Sequence, residues 1–323
     1  MCKLGVCSKM SRNLLSRTLR LSCIQRPLRT NSTSTSSHIN SAVKLNHHIY
    51  KNVEKGTNQT SVMVMHGLMG SSNNWRSLSK ALCKTGRKVI AVDARNHGAS
   101  PHNEHMSYFL MSDDVLRLMD ELGEERVTLM GHSMGGKVLM TLALTHPDRV
   151  KNLVVVDVSP RPRPASVTPT TSAYLQSMLK ITSSLCDTTL TSLSQAKQHA
   201  DKILQETEQD VSIRQFLITN LEHINGRFRW KVNLDAIINS MPELGGFPEF
   251  SQQFTRPTLF VGGQNSNYIL SSDIPRIQEL FPKAVVKHID NAGHWVHAEN
   301  PHEFLKVVKT FLLENDEERP CKG

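Results

Sequence analysis

The sequence predicts an α/β protein: a mostly parallel central sheet flanked by helices, with a helical lid inserted late in the chain. Short β-type runs alternate with helical runs, which is the pattern of a parallel sheet with helices on both faces. Several β-type runs, including VMVM at 62–65, are entirely apolar, as expected of strands covered on both sides. The alternation stops between residues 159 and 255, a stretch too long for an ordinary connection.

These patterns predict the elements in chain order. An extended stretch at 43–50 predicts one or two antiparallel edge strands. The central strands are predicted from apolar and β-branched runs at 62–65, 89–93, 127–130, 153–156, 258–261 and 285–289. Helical spacing predicts helices at 108–122, 136–146, 274–281 and 301–313, and within the lid at 172–185, 192–204 and 211–221. No strand is predicted between residues 159 and 254.

The predicted organisation is a discontinuous core with a leader and a tail. Residues 39–158 and 256–313 form the core, and residues 159–255 form the helical lid. Residues 1–38 are a leader, and residues 314–323 are a polar tail. A lid over the carboxyl edge of the sheet is where substrate selection would occur.

The leader has the basic, hydroxyl-rich, acid-free and amphipathic composition of a mitochondrial transit peptide. Its seven positive charges are on Lys3, Lys9, Arg12, Arg17, Arg20, Arg26 and Arg29. Without these seven charges the formal net charge falls from +9 to +2, so the folded domain carries no nucleic-acid signal. We expect import into mitochondria and residence in the matrix.

The remaining composition argues against a membrane-spanning protein and against a fold held by disulfides or by a cysteine-bound metal. No apolar run approaches the roughly 20 residues of a membrane-spanning helix, so no transmembrane segment is expected. Three of the six cysteines lie in the leader, and Cys83, Cys186 and Cys321 are widely scattered. They show neither metal-binding spacing nor an even disulfide set, which fits a reducing compartment.

A nucleophile is indicated at Ser133. The pattern G-x-S-x-G occupies residues 131–135, directly after a predicted strand and directly before a predicted helix. This context is that of the nucleophile elbow, in which a strained turn presents the serine hydroxyl above the sheet. The positive end of the following helix lies next to the hydroxyl.

From residue 43 to residue 313 the chain resembles the α/β-hydrolase superfamily, which implies the α/β-hydrolase fold. Residues 66–70 (HGLMG) resemble the family's oxyanion loop. The resemblance implies that the N–H groups of Leu68 and Met134 form the oxyanion hole, while His66 braces the loop. Residues 93–100 resemble a structural D-x-R-G-H-G-x-S turn in which Asn96 replaces a glycine and tolerates a left-handed conformation.

The general base is predicted to be His294. It follows the last predicted strand and precedes the final helix, so a loop at the carboxyl edge of the sheet would carry it towards Ser133. The chain order of serine, acid and histidine also fits this fold. His288 and His297 are nearby alternatives, the first within the strand and the second displaced towards the helix.

The acid that orients His294 has two candidates. The family's usual position follows the penultimate strand, but no carboxylate occurs between Phe254 and Asp273. We favour Asp157, which ends the strand after the elbow helix and lies at the same edge of the sheet. Asp235, at the end of the lid, is the alternative. Either would fix the histidine tautomer and stabilise the imidazolium.

A narrower resemblance is to the mitochondrial α/β-hydrolase domain-containing protein 11 group and its bacterial esterase relatives. It is carried by residues 66–71, 131–137, 156–160 and 230–234, and by the missing carboxylate. The resemblance implies hydrolysis of acyl-lipid esters, with diacylglycerol as the substrate type. It also implies a matrix location, association with the 2-oxoglutarate dehydrogenase complex and a part in maintaining its lipoylation.

The residues themselves predict a reaction class. Ser133 would attack an acyl carbonyl, and the acyl-enzyme would then be hydrolysed, with no metal or organic cofactor. A serine nucleophile argues against dehalogenase and epoxide hydrolase chemistry, which use aspartate. Two alternatives stay open: an acyl-thioesterase or deacylase with the same machinery, and a protective binding subunit without catalysis.

Overall fold

The computed structural model describes residues 42–52, 59–162, 167–186 and 189–315. The predicted leader at 1–38 and most of the predicted tail at 314–323 lie outside these residues.

A mixed sheet forms the centre of the described fold. Its strands run in the spatial order β1-β3-β2-β4-β5-β8-β9, with β1 antiparallel to β3 and every other pair parallel. The strands are β1 (His47–Tyr50), β2 (Val62–Met65), β3 (Val89–Val92), β4 (Val127–His132), β5 (Val150–Val156), β8 (Thr258–Gly263) and β9 (Ala284–Ile289). The predicted parallel α/β sheet is confirmed, and the predicted edge segment supplies one antiparallel strand.

Helices cover both faces of this sheet. In the core they are α1 (Arg76–Cys83), α2 (Tyr108–Glu121), α3 (Met134–Thr145), α8 (Ile274–Leu280), α9 (Val296–Glu299) and α10 (Pro301–Glu314). The apolar strands are covered on both sides because successive side chains point to opposite faces. In β2, Val62 and Val64 pack with α1 and α10, whereas Met63 and Met65 pack with α2 and α3. The sequence prediction missed α1 and the single-turn helix α9, and between β5 and β8 it missed the helix Leu234–Gly245.

The segment between β5 and β8, called the insert, carries most of the remaining described structure. It contains α4 (Val167–Cys186), α5 (Leu193–Leu204), α6 (Val211–Ile218), α7 (Leu234–Gly245) and a hairpin of β6 (Leu221–Ile224) and β7 (Arg227–Trp230). The prediction that residues 159–254 hold no strand is therefore wrong. Asn225 and Gly226 form the turn with φ of 52° and 75°, and this Asn-Gly pair was the missed hairpin signal. The function of the insert as a lid stays a prediction.

Contacts between the insert and the core fix the insert beside the carboxyl edge of the sheet. Asn220 Nδ2 donates to the carbonyl of Met69 at 2.7 Å, and the Asn233 N–H donates to the carbonyl of Asn96 at 3.0 Å. Within the described residues, no helix is long and apolar enough to cross a membrane.

Candidate active site

Ser133 lies on a strained turn between the central strand β4 and helix α3. Its φ of 51° and ψ of −116° are unfavourable for a residue with a Cβ, as the nucleophile-elbow motif predicts. The flanking glycines are required by close packing rather than by their own torsion angles. A Cβ on Gly131 would lie 2.5 Å from the backbone of Gly135, and one on Gly135 would lie 2.5 Å from the carbonyl of His66.

The structure brings Ser133, His294 and Asp157 into one hydrogen-bonded chain. The His294 Nδ1–H donates to Asp157 Oδ2 at 2.7 Å, and Ser133 Oγ donates to His294 Nε2 at 3.2 Å. Asp157 is fully buried and Ser133 is 5% exposed. This order of contacts places a basic imidazole nitrogen on the serine hydroxyl and a carboxylate on the opposite nitrogen.

The arrangement depends on four strands of the sheet. β4 positions Ser133 and β5 positions Asp157, and these strands are neighbours. The strand β9, which precedes His294, lies three positions from β4, so its loop runs back across β8. The Asn265 N–H donates to the carbonyl of Ala292 at 2.9 Å and ties the two loops together. The loop after β9, and not the end of the strand itself, therefore brings His294 to Ser133.

Asp157 is held by the segment where the family's acid was expected. Its Oδ1 accepts the Gly263 N–H at 3.0 Å, and its Oδ2 accepts the hydroxyl of Ser266 at 2.5 Å. Asp157 itself adopts a positive φ of 48° at the end of β5. Sequence reasoning noticed that this loop lacks a carboxylate but missed Ser266. The signal in the sequence was a hydroxyl-bearing residue, Ser266, in the loop where the family usually has its carboxylate.

The alternative acid is placed elsewhere. Asp235 lies exposed on the first turn of α7 and does not line the cavity that contains Ser133. The alternative bases contact other groups. His288 Nε2 donates to the carbonyl of Ile269 at 3.1 Å, and His297 is stacked on Trp75 with ring centroids 4.5 Å apart.

Two buried histidines brace the loop that contains Leu68. His66 Nδ1–H donates to the Gly67 carbonyl at 2.7 Å, and its Nε2 accepts the Ala94 N–H at 3.0 Å. His97 Nδ1–H donates to the Arg95 carbonyl at 2.9 Å, and its Nε2 accepts the Met69 N–H at 3.1 Å. Burial lowers the pKa of His66 and lowers the pKa of His97 to about 3, so both rings are neutral and can accept.

The loop therefore approaches Ser133 in a fixed conformation. Met69 and Asn96 adopt positive φ values of 61° and 66°, and the latter agrees with the left-handed residue expected at Asn96. A Cβ on Gly67 would lie 3.2 Å from the Ser133 Cβ. Leu68 lines the same cavity as Ser133. Met134 is the first residue of α3, where backbone N–H groups have no intrahelical acceptor.

Two more buried histidines lie near His294. His132 Nε2–H donates to the carbonyl of His294 at 2.8 Å, and the rings of His132 and His297 lie 4.6 Å apart. Burial lowers the pKa of His132 well below its ordinary value and lowers that of His297 to about 3. The ring of His132, whose centroid lies 4.7 Å from that of His294, is therefore neutral. Tyr268 stacks on the imidazole of His294 at 3.8 Å.

A cavity of about 860 Å³ opens over these groups. Apolar side chains from the Leu68 loop line it, and α6 of the insert adds Ile213, Phe216 and Leu217. Trp295 and Tyr268 line it next to His294, and Tyr174 contributes from α4. The cavity therefore offers a mostly apolar space beside the Ser133 hydroxyl.

Comparisons with known proteins agree with the fold described above. Residues 60–301 match a family described as the alpha/beta hydrolase fold. A Danio rerio protein named sn-1-specific diacylglycerol lipase ABHD11 is 44% identical over 256 residues, covering 78% of each chain. A putative esterase/lipase of Haemophilus influenzae is 32% identical over 287 residues, covering 88% of this chain and 94% of its own. A solved marine microorganism esterase matches with a TM-score of 0.75 and 33% identity, covering 84% of this chain and 100% of its own.

Proposed function

The chain belongs to the alpha/beta hydrolase fold family, and from this premise we propose that it is a serine hydrolase that cleaves carboxylic esters of acyl lipids. The observation that carries the proposal is the continuous hydrogen-bonded chain from Asp157 through His294 to Ser133. Similarity to proteins named diacylglycerol lipases supports diacylglycerol as the substrate type.

The proposed reaction passes through an acyl-enzyme. His294 Nε2 takes the proton from Ser133 Oγ as the oxygen attacks the ester carbonyl, and Asp157 stabilises the imidazolium that forms. The N–H groups of Leu68 and Met134 hold the developing oxyanion. His294 then gives its proton to the leaving alcohol and afterwards activates the water that releases the fatty acid.

An ester–thioester comparison tests the substrate class. Purified protein is given a diacylglycerol and an acyl-coenzyme A that carry the same acyl chain, with Ser133→Ala as the blank. We expect kcat/KM to be at least about tenfold higher for the ester, since differential transition-state binding separates related substrates by such factors. Faster thioester cleavage would make the protein a thioesterase. Cleavage of neither substrate, without labelling by a fluorophosphonate probe, would favour a binding subunit.

We also propose that the protein acts in the mitochondrial matrix. Support comes from the basic, acid-free composition of residues 1–38. In an import assay with isolated mitochondria, the chain should be shortened by about 40 residues and become protected from protease. Both results should require the membrane potential, because this potential draws in a cationic segment. An uncut, protease-sensitive product would refute the proposal. Replacing the seven leader cations with glutamine is the matched control and should prevent import.

The resemblance to the α/β-hydrolase domain-containing protein 11 group supports one partner, the 2-oxoglutarate dehydrogenase complex, and a part in maintaining its lipoylation. The imported protein provides the test: if it associates stably with the complex, it should co-purify with the complex from matrix extracts. Co-purification of Ser133→Ala at the wild-type level would separate this association from the chemistry.

A further inference from the structure

The loop that carries His294 is held by a carboxylate that the proposed reaction does not use. Glu299 Oε2 accepts the N–H of Gly293 at 2.5 Å, and Glu299 Oε1 accepts the N–H of Trp295 at 3.1 Å. These two amides lie immediately before and after His294. We propose that Glu299 is a positioning residue, which fixes the backbone of His294 so that the imidazole meets Ser133.

The local fold explains how one side chain reaches both amides. Helix α9 is a single turn, closed by the Glu299 N–H donating to the carbonyl of Trp295 at 2.8 Å. The turn returns the carboxylate to the N–H groups at its own start, which have no intrahelical acceptor. A Cβ on Gly293 would lie 3.2 Å from Glu299 Oε2, so the glycine leaves room for this contact.

The remaining contacts of the loop show what Glu299 adds. The carbonyl of His294 accepts from His132, and the carbonyl of Ala292 accepts from the Asn265 N–H. Both contacts bind carbonyl oxygens on the core side of the loop. Glu299 binds the two N–H groups from the exposed side, and hydrogen bonds to a carboxylate are stronger than those between neutral groups. The peptide of the base is thus held from both sides.

The position of the His294 imidazole affects the reaction because it must stay within hydrogen-bond distance of both Ser133 and Asp157. Ser133 Oγ and His294 Nε2 are 3.2 Å apart, and His294 must also keep its 2.7 Å contact with Asp157. A misplacement of about 1 Å at a reacting group can cost about 10²-fold in rate. The inference rests on the proposed function, since positioning matters here only if His294 is the base.

The test compares Glu299→Ala and Glu299→Gln with Glu303→Gln. The glutamine keeps one acceptor oxygen in nearly the same volume, so it serves where the alanine variant folds poorly. For Glu299→Ala we expect kcat to fall by about 10- to 100-fold with KM changed by no more than about twofold, because the loss lies in positioning. Glu299→Gln should fall between alanine and wild type. Glu303, in the first turn of α10, pairs with Lys306 outside the cavity, so Glu303→Gln should match wild type.

A second readout does not need a substrate. The far-downfield proton NMR signal of the His294 Nδ1–H reports its hydrogen bond to Asp157, and its absence in His294→Ala assigns it. This signal should shift or broaden in both Glu299 variants and persist in Glu303→Gln. An unchanged signal with near-normal kcat, or an equal loss in Glu303→Gln, would overturn the inference. If the wild type cleaved no ester while the signal still depended on Glu299, the proposed function would fail and the positioning contact would stand.

Discussion

Replacing Ser133 with alanine is expected to reduce ester hydrolysis by on the order of 10⁵- to 10⁶-fold, since the acyl-enzyme loses its nucleophile. Covalent labelling by a fluorophosphonate probe should disappear with it. The described hydrogen bond lost in the change is the one to His294, and alanine meets the same backbone strain at φ 51° as serine does. The melting temperature should therefore remain close to that of the wild type.

Ser79→Ala is the matched control for this experiment. Ser79 is likewise a buried serine, but it lies on α1 and does not line the cavity. It should keep wild-type labelling and turnover. Labelling that survives in Ser133→Ala, at a site competed by substrate, would assign the nucleophile to another residue.

Asp157→Asn is expected to lower kcat by about 10³- to 10⁴-fold with little change in KM. The amide has nearly the shape of the carboxylate, and its oxygen can still accept the Gly263 N–H in place of Oδ1. The NH₂ group then replaces Oδ2 and cannot accept from His294 Nδ1–H or from the Ser266 hydroxyl. The imidazole would adopt the wrong tautomer, with its proton directed at Ser133.

Asp235→Asn provides the matched comparison, because it makes the same chemical change on the exposed first turn of α7. Its kcat should equal that of the wild type. A large loss of kcat in Asp235→Asn, together with a kcat close to that of the wild type in Asp157→Asn, would make Asp235 the acid. Circular dichroism and the melting temperature would separate loss of orientation from loss of fold in either variant.

The strongest sequence predictions concern segments whose local pattern and tertiary environment agree. The apolar run at 62–65 forms a strand with those bounds, because a fully buried parallel strand is apolar on both faces. The elbow at Ser133 was predictable since its glycines and its strand–turn–helix context are local. The left-handed conformation of Asn96 was also predictable, because few residue types adopt this conformation in a tight turn.

Other elements depended on contacts that sequence patterns do not encode. Helix α1 is short, and Leu78 and Leu82 are buried against α10, which is remote in sequence. The hairpin of β6 and β7 has a local turn signal, but its strands are only four residues long, and their mixed burial weakens alternation. The surrounding helical patterns outweighed it.

By itself the sequence determined the parallel α/β sheet, the position of Ser133 at its central turn and the chemistry that a serine and a histidine can perform together. These depend on period, order and residue type along the chain. Only the tertiary structure decided that Asp157 contacts His294, that Ser266 stands where a carboxylate was expected, and that Glu299 holds the loop of the base. The physical reason is that each of these contacts joins residues brought together by strand order and loop path, and hydrogen-bond geometry is fixed only when both backbones are in place.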